Sequence, residues 1–232
     1  RLDLAKYPES LKLLRRAGFD RAYIGYESTN PESLKAIGKG ISLDDMSAFT
    51  KIIHSYGIDI HAMWVLGFDT DTLETVKANI QASIKWRLET TQFLILVPIP
   101  GSKLFERFKN GNRIFNLDWS KYDGHHVTFY PERMTPRQLQ VAVMLDAMPR
   151  LYNHWQTLRI FITNNYWNAI GFFKIKTWHP LRRVKTIFET LVVRVWGRGA
   201  TRKMKKPIRD YLRRIPVTSS KLKQKNPTGD PD

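Results

Sequence analysis

Along the first hundred residues the apolar positions switch repeatedly between a helical and a strand period. After Pro8, which suits a first helical position, Leu11, Leu14 and Ala17 share one face, and Gly18 supplies a left-handed stop. Ala22-Tyr-Ile-Gly-Tyr then reads as a short buried strand. Asn30-Pro31 opens a second helix. Ser42, with Asp45 three residues on, caps a third, whose stripe of Leu43, Met46, Phe49 and Ile53 stops at Gly57. Ile58 to Leu66 forms the next strand, Asp71 or Thr72 caps a helix running to Arg87, and Phe93-Leu-Ile-Leu-Val is a third strand closed by Pro98 and Pro100.

Strands separated by helices of this length pair in parallel through right-handed crossovers, so the pattern predicts an α/β architecture. Three parallel strands would leave an unpaired edge where the chain begins. Arg1-Leu-Asp-Leu reads as the tail of a preceding strand, so the expectation is that the N-terminal part of a barrel or sheet is missing.

Gly101 to Met134 reads as irregular. Thr135-Pro-Arg-Gln is a strong helix start, with Thr as cap, Pro first and Gln three residues after the cap, and the helix is expected to reach Trp155. Beyond it, two amphipathic helices are expected. One carries Leu181, Val184, Ile187, Phe188, Leu191, Val192 and Val195, and the other Met204, Ile208, Tyr211, Leu212 and Ile215, with cations off both faces. Residues 216–232 are polar and read as disordered.

Composition changes this picture in two ways. The 232 residues include no cysteine, which excludes disulfides and thiolate metal sites. The net charge of +17 is concentrated late: residues 174–232 hold 17 of the 38 Lys and Arg against four of the 21 acids. An anionic partner is therefore to be sought there. No uninterrupted apolar run reaches the ~18 residues of a membrane span, and the N-terminus shows no signal-peptide pattern. The expected location is cytoplasmic, with peripheral contact at the inner face of a membrane.

Several segments share a likeness. They are Ile-Gly-Tyr-Glu-Ser at 24–28, Leu-Lys-Ala-Ile-Gly-Lys-Gly-Ile at 34–41, Gly-Ile-Asp-Ile-His-Ala-Met-Trp-Val-Leu-Gly-Phe-Asp at 57–69 and Val-Pro-Ile-Pro-Gly-Ser-Lys-Leu-Phe at 97–105. In this order and spacing they resemble the C-terminal half of a radical S-adenosylmethionine (radical SAM) barrel, nearest the branch with an N-terminal cobalamin-binding domain. Residues 119–136, with Trp119, Tyr122-Asp-Gly-His-His-Val and Pro131 ahead of Met134-Thr-Pro, are similar to that branch's post-barrel segment. The likeness covers residues 1–145.

The resemblance implies that Gly25, Glu27 and Ser28 face the ribose and amino acid moiety of S-adenosylmethionine. A carboxylate and a hydroxyl at a strand end suit that task. The competing reading is that Glu27 and Ser28 cap the helix opening near Pro31. It further implies that Lys39, better placed than Lys35, pairs with the cofactor's carboxylate. Met63, Val65 and Gly67 correspond to the strand packed near the adenine, although a glycine of the family pattern is Met63 here and its terminal acid is Thr70, with Asp69 and Asp71 nearby. Val97 and Pro98 would bring backbone to the adenine, and Gly101 would allow a tight exit turn. Tyr122, His125 and His126 are candidates for the substrate side, or a structural pair in a loop across the barrel mouth.

The departure lies upstream. The family holds a [4Fe–4S] cluster on a Cys-x-x-x-Cys-x-x-Cys loop, and this sequence has no thiolate for one. No metal ligand is assigned, and the adjacent His125 and His126 are poorly spaced for chelation. The expectation is a fragment: residues 1–110 as half a (β/α) barrel, 111–155 as a cap segment, 156–215 as a basic helical extension and 216–232 as a tail. Its parent would be a cobalamin-dependent radical methyltransferase or a related enzyme acting on a hydrophobic substrate, and the piece alone would be inactive. The cluster half would come from the missing N-terminal segment or another subunit.

The basic helices, with Trp167, Phe172, Phe173, Trp178 and Trp196, suit an anionic membrane surface. Nucleic acid ranks second, because the aromatics join the apolar stripes and do not interleave with the cations. A helical bundle packed on the barrel is the plainer alternative. Two further alternatives stand: a non-catalytic protein using these helices for a membrane or subunit, and an unrelated α/β enzyme using Glu27, Asp69 and His125.

Overall fold

The computed structural model of the protein describes residues 1–162 and 180–217. A parallel sheet in the order β1-β2-β3 is built from Arg21–Glu27, Asp59–Leu66 and Thr90–Ile95. Helices α1 (Pro8–Arg16), α2 (Pro31–Ala36), α3 (Leu43–His54) and α4 (Leu73–Lys85) alternate with the strands. The α/β expectation holds. The third strand begins and ends earlier than the apolar run suggested, because Thr90 and Thr91 extend it backwards.

Strand alternation divides the sheet into two faces. Ile24 and Tyr26, Ile60 to Leu66 by alternate residues, and Phe93 and Ile95 are buried beneath the helices. There Trp64, fully enclosed, stacks between Trp86 and Phe93 and touches Tyr26 at 5.2 Å. The other face carries Tyr23, Gly25 and Glu27, then His61, Met63 and Val65, then Gln92 and Leu94, and these are only partly covered. A sheet with both faces apolar throughout would have no such polar side.

The free edge of β3 is closed by later chain. The Tyr152 hydroxyl accepts from Thr91 N–H and donates to Thr91 C=O at 2.6 Å, and Ile95 N–H donates to Gly124 C=O. The outer edge of β1 has no strand partner among the described residues.

Local chemistry accounts for the helix ends. The Ser42 and Asn30 side chains accept from Asp45 and Glu32 N–H, and Thr72 with Thr75 forms a capping box. Thr72, not Asp71, is therefore the cap of α4.

Other expectations are corrected. Leu2–Lys6 is a 3-10 helix with Leu2 and Ala5 in the core, not a strand tail. The stretch read as irregular contains α5 (Lys103–Asn110), started by the Ser102 cap and anchored by Phe105 and Phe108. The helix from Thr135 does not run unbroken to Trp155. It passes from α6 (Pro136–Val141) through a π-helical stretch (Ala142–Ala147) into α7 (Met148–Leu151). Pro149 explains the shift, since it lacks the N–H that an α-turn would direct to Leu145 and its ring would strike that carbonyl.

Residues 154–162 are helical again. The expected pair of basic helices is one helix, α8 (Pro180–Leu212), with Pro207 inside it. Its second apolar stripe is buried through Ile208, Tyr211 and Leu212, as packing on the body requires. Trp167, Phe172, Phe173, Trp178 and the tail from 218 onward lie outside the described residues, as does the side chain of Leu181.

A buried charge cluster ties the N-terminal strand ends to α8. Glu89 accepts from His54 Nε2 at 3.1 Å and from Ile60 N–H at 2.7 Å, while Arg21 pairs with Asp59 at 3.4 Å. Burial pushes the Asp59 carboxyl up to about 7; Glu89 adds to the effect, and Arg21 and His54 offset part of it. Burial opposes a charge on His54, but Glu89 outweighs it and raises the imidazole above its ordinary value. Both groups hold protons more tightly folded than unfolded. Their contribution is therefore complete at low pH, and it is lost as pH rises from 3.8 through about 7 for Asp59 and above 6.5 for His54. Thermal stability is expected to fall between about pH 5 and pH 8, and Asp59→Asn to flatten that slope. Calorimetry across the range checks it; an unchanged slope in the variant would remove Asp59 from the account.

Candidate functional site

Parallel pairing brings the C-terminal ends of all three strands to one rim. At the end of β1 the register slips, so that Gly25 pairs with Met63 but Glu27 with Trp64. Glu27 takes φ +67°, a left-handed conformation rare for a side chain of this size. The carboxylate folds back over Gly25: a Cβ built at Gly25 would lie 2.2 Å from Glu27 Oε1. Lys39 Nζ donates to Glu27 Oε1 at 2.9 Å and also to the Gly25 carbonyl. Three of the residues chosen from the sequence thus form one unit. The left-handed residue coincides with the register slip, and strained positions of this kind cluster at functional sites.

Ser28 is fully buried and its hydroxyl accepts from Asn30 N–H at 3.0 Å, so it shapes the turn into α2. Met63 and Val65 lie on the same partly covered sheet face as Gly25 and Glu27, and Gly67 stands at the exit of β2 with φ +108°. Any side chain there would press on Leu139 and Phe129. Val97 and Pro98 follow β3 after Leu96 N–H has bonded to Leu66 C=O.

The nearby acids divide their work. Asp71 is buried, accepts from Gly67 and Phe68 N–H at 2.9 and 3.0 Å, and takes a bond from the Ser33 hydroxyl. Burial raises its pKa despite those donors. It is a positioning residue for the β2 exit, and it was not singled out for this from the sequence, although its distance of four residues from Gly67 is the available signal. Asp69 instead pairs with Arg107 and Arg113. Glu27, Asp69 and His125, the trio of an acid–base alternative, therefore have separate partners.

The histidine pair also divides. His126 Nδ1 bonds Asp123 at 3.0 Å and its ring packs edge-on against Tyr211 at 4.8 Å. Partial burial works against the Asp123 charge, but the His125 N–H and the His126 ring hold its carboxyl below the ordinary value. Tyr122 donates to the Asn116 carbonyl. His125 lines a mainly apolar cavity of about 470 Å³ together with His61, Gln92, Met144, Met148 and Trp196. His61, missed in the sequence, bonds Thr90 Oγ1 at 2.8 Å, and burial lowers its pKa. The π-helical turn presents Met144, next to α7's Met148, to this space. Among the described residues no group of three or more His, Cys, Asp or Glu could hold a metal ion.

No family model matches the chain. Relatives do. It is 32% identical over 139 residues to the bacteriochlorophyllide d C-12(1)-methyltransferase of Chlorobaculum tepidum, covering 60% of this chain and 30% of that protein. It is 30% identical over 152 residues to the hopanoid C-2 methylase of Rhodopseudomonas palustris, covering 65% and 28%. It is 26% identical over 158 residues to the anaerobic magnesium-protoporphyrin IX monomethyl ester cyclase of Synechocystis, covering 64% and 30%. The chain thus spans about a third or less of these curated relatives.

Proposed function

We propose that this chain is the C-terminal half of the cofactor barrel of a radical SAM methyltransferase, with its helical cap. The observation that carries this reading is the Gly25–Glu27–Lys39 unit at the rim of a parallel sheet, in a chain whose relatives include methylating enzymes and a cyclase. The polar, partly covered sheet face is what the inside of a barrel presents before its remaining strands are added.

The residues fit S-adenosylmethionine in part. Glu27 offers an acceptor to ribose hydroxyls or to the ammonium group, and Lys39 a cation to the carboxylate, provided the ligand displaces their mutual pairing. They do not fit an iron–sulfur cluster, since the sequence has no cysteine. The cluster, which supplies the electron for cleaving the sulfonium, would come from an upstream segment or another subunit; a cobalamin domain would likewise lie outside these residues. Alone, this chain would be inactive. His61 and His125 line the place where a hydrophobic substrate would rest.

The test joins residues 1–232 to the polypeptide encoded immediately upstream of Arg1. After anaerobic reconstitution with iron and sulfide, the joined protein is expected to bind S-adenosylmethionine and cleave it. Binding of neither iron nor S-adenosylmethionine would overturn the reading. A second, non-catalytic reading is favoured by one observation, the outward face of α8.

A further inference from the structure

Helix α8 is amphipathic the wrong way round over its first half. Its buried side carries Thr190 and Arg194, while Val184, Phe188, Val192, Val195 and Trp196 face solvent, Phe188 at 65% and Trp196 at 72% exposure. At 3.6 residues per turn the exposed set forms one stripe, and Thr190 and Arg194 fall on the far side.

The inversion has a local cause. Thr190 bonds Asp59 and Arg21 at the strand ends. Arg194 donates to the Glu89 and Leu151 carbonyls and to Thr157 Oγ1, with its guanidinium over the Tyr152 ring. Polar strand ends claim the polar side, and the apolar side is left outward. The neighbouring helix repeats the arrangement: Thr157 faces Arg194, while Trp155, Leu158 and Ile162 are exposed. Apolar surface of this extent on two adjacent helices calls for a partner.

Charge identifies the partner. Past Trp196 the outward stripe becomes cationic, with Arg202, Lys203, Lys206 and Arg209 all exposed. We propose that this face docks on an anionic lipid surface, the half from Val184 to Trp196 reaching acyl depth and the half from Arg202 to Arg209 resting on the phosphates. A second copy fits less well, since parallel pairing would set the cationic halves against each other. Nucleic acid would want aromatics between the cations, and none lies between Arg202 and Arg209. None of the helices among the described residues is long and apolar enough to cross a membrane, so α8 would lie in the interface. Trp196 also lines the cavity that holds His61 and His125, so docking would bring the rim of that cavity to the bilayer. The docking stands apart from the methylation reading, and its failure would leave that reading intact.

The 232-residue chain is mixed with phosphatidylcholine vesicles, with and without phosphatidylglycerol, and sedimented over a salt series. Binding is expected only with phosphatidylglycerol and is expected to weaken as salt is added. Substitution of Arg202, Lys203 and Lys206 by Glu is expected to lower partitioning about tenfold or more at low salt. The pair Phe188→Ser and Trp196→Ser should lower it comparably; all five positions are exposed, so melting curves should be unchanged. Lipids brominated in the tails should quench tryptophan fluorescence of the unaltered chain, a reading that needs no variant. Absence of binding to either vesicle overturns the proposal. So does equal binding by folded variants, or concentration-dependent self-association that the Phe188 and Trp196 changes abolish.

Discussion

Replacing Glu89 by alanine is expected to destabilise the fold by about 3–5 kcal/mol, the range for breaking a buried ionic contact on one side only. Glu89 is 1% exposed and bonds the His54 ring at Nε2 and Ile60 N–H. Alanine leaves a buried imidazole ring and a strand N–H without their acceptor. Glu89→Gln retains an acceptor for Ile60 and loses the charge, so a smaller loss of about 1–3 kcal/mol is expected. Urea unfolding with constant slope measures both. For a chain of this length each kcal/mol also lowers the melting temperature by about 2–4 °C. A loss below about 1 kcal/mol for the alanine variant would mean that water enters the cluster. The cluster borders α8, because Arg194 donates to the main-chain carbonyl of Glu89, which alanine retains, and Thr190 to Asp59. The same strand ends that need burying thus hold the helix with its apolar side outward.

The second large effect concerns ligand binding with little change in stability. Glu27→Gly removes a side chain held at φ +67°, a strain of about 1–2 kcal/mol that glycine does not bear. It also removes a partly exposed ion pair with Lys39, a contact of small net value. The variant should therefore melt at or slightly above the parent. In the reconstituted assembly it should bind S-adenosylmethionine about tenfold to a hundredfold more weakly, the loss of one charge-assisted hydrogen bond of about 1.5–3 kcal/mol. Gly25→Ala reaches the same site from the other side. Its Cβ would stand 2.2 Å from Glu27 Oε1, and the flexible carboxylate would swing away from Lys39 at little cost to folding. Equilibrium binding beside a melting curve separates the two quantities. If both variants bind normally, Glu27 is a strained turn residue and the cofactor contacts lie elsewhere on the rim.

The candidate site was legible as residues but not as an arrangement. Gly25, Glu27 and Lys39 could be picked from short segments, and they converge because parallel strands end together. Ser28 could be picked too, yet its burial against Asn30 is invisible in a string of letters. His61 escaped notice because a lone histidine in an apolar strand has no local signal; its importance comes from the opposite wall, supplied more than eighty residues later by Met144, Met148 and Trp196. Asp71 resembled a helix cap until the Gly67 and Phe68 amides were seen to converge on it.

By itself the sequence determined the alternation of strands and helices up to β3, the helix starts at Pro31, Leu43 and Pro136, and the absence of thiolates. These depend on period, on capping side chains and on composition, which are properties of neighbouring residues. It also showed where the positive charge lies. Only the tertiary structure decided which side of α8 faces inward. Periodicity detects an apolar stripe but says nothing of what the opposite stripe can bond, and here Asp59, Glu89 and Leu151 offered hydrogen-bond partners that Thr190 and Arg194 could reach. Buried polar groups must be paired, and that requirement outweighed the burial of three valines and two aromatics on the other side.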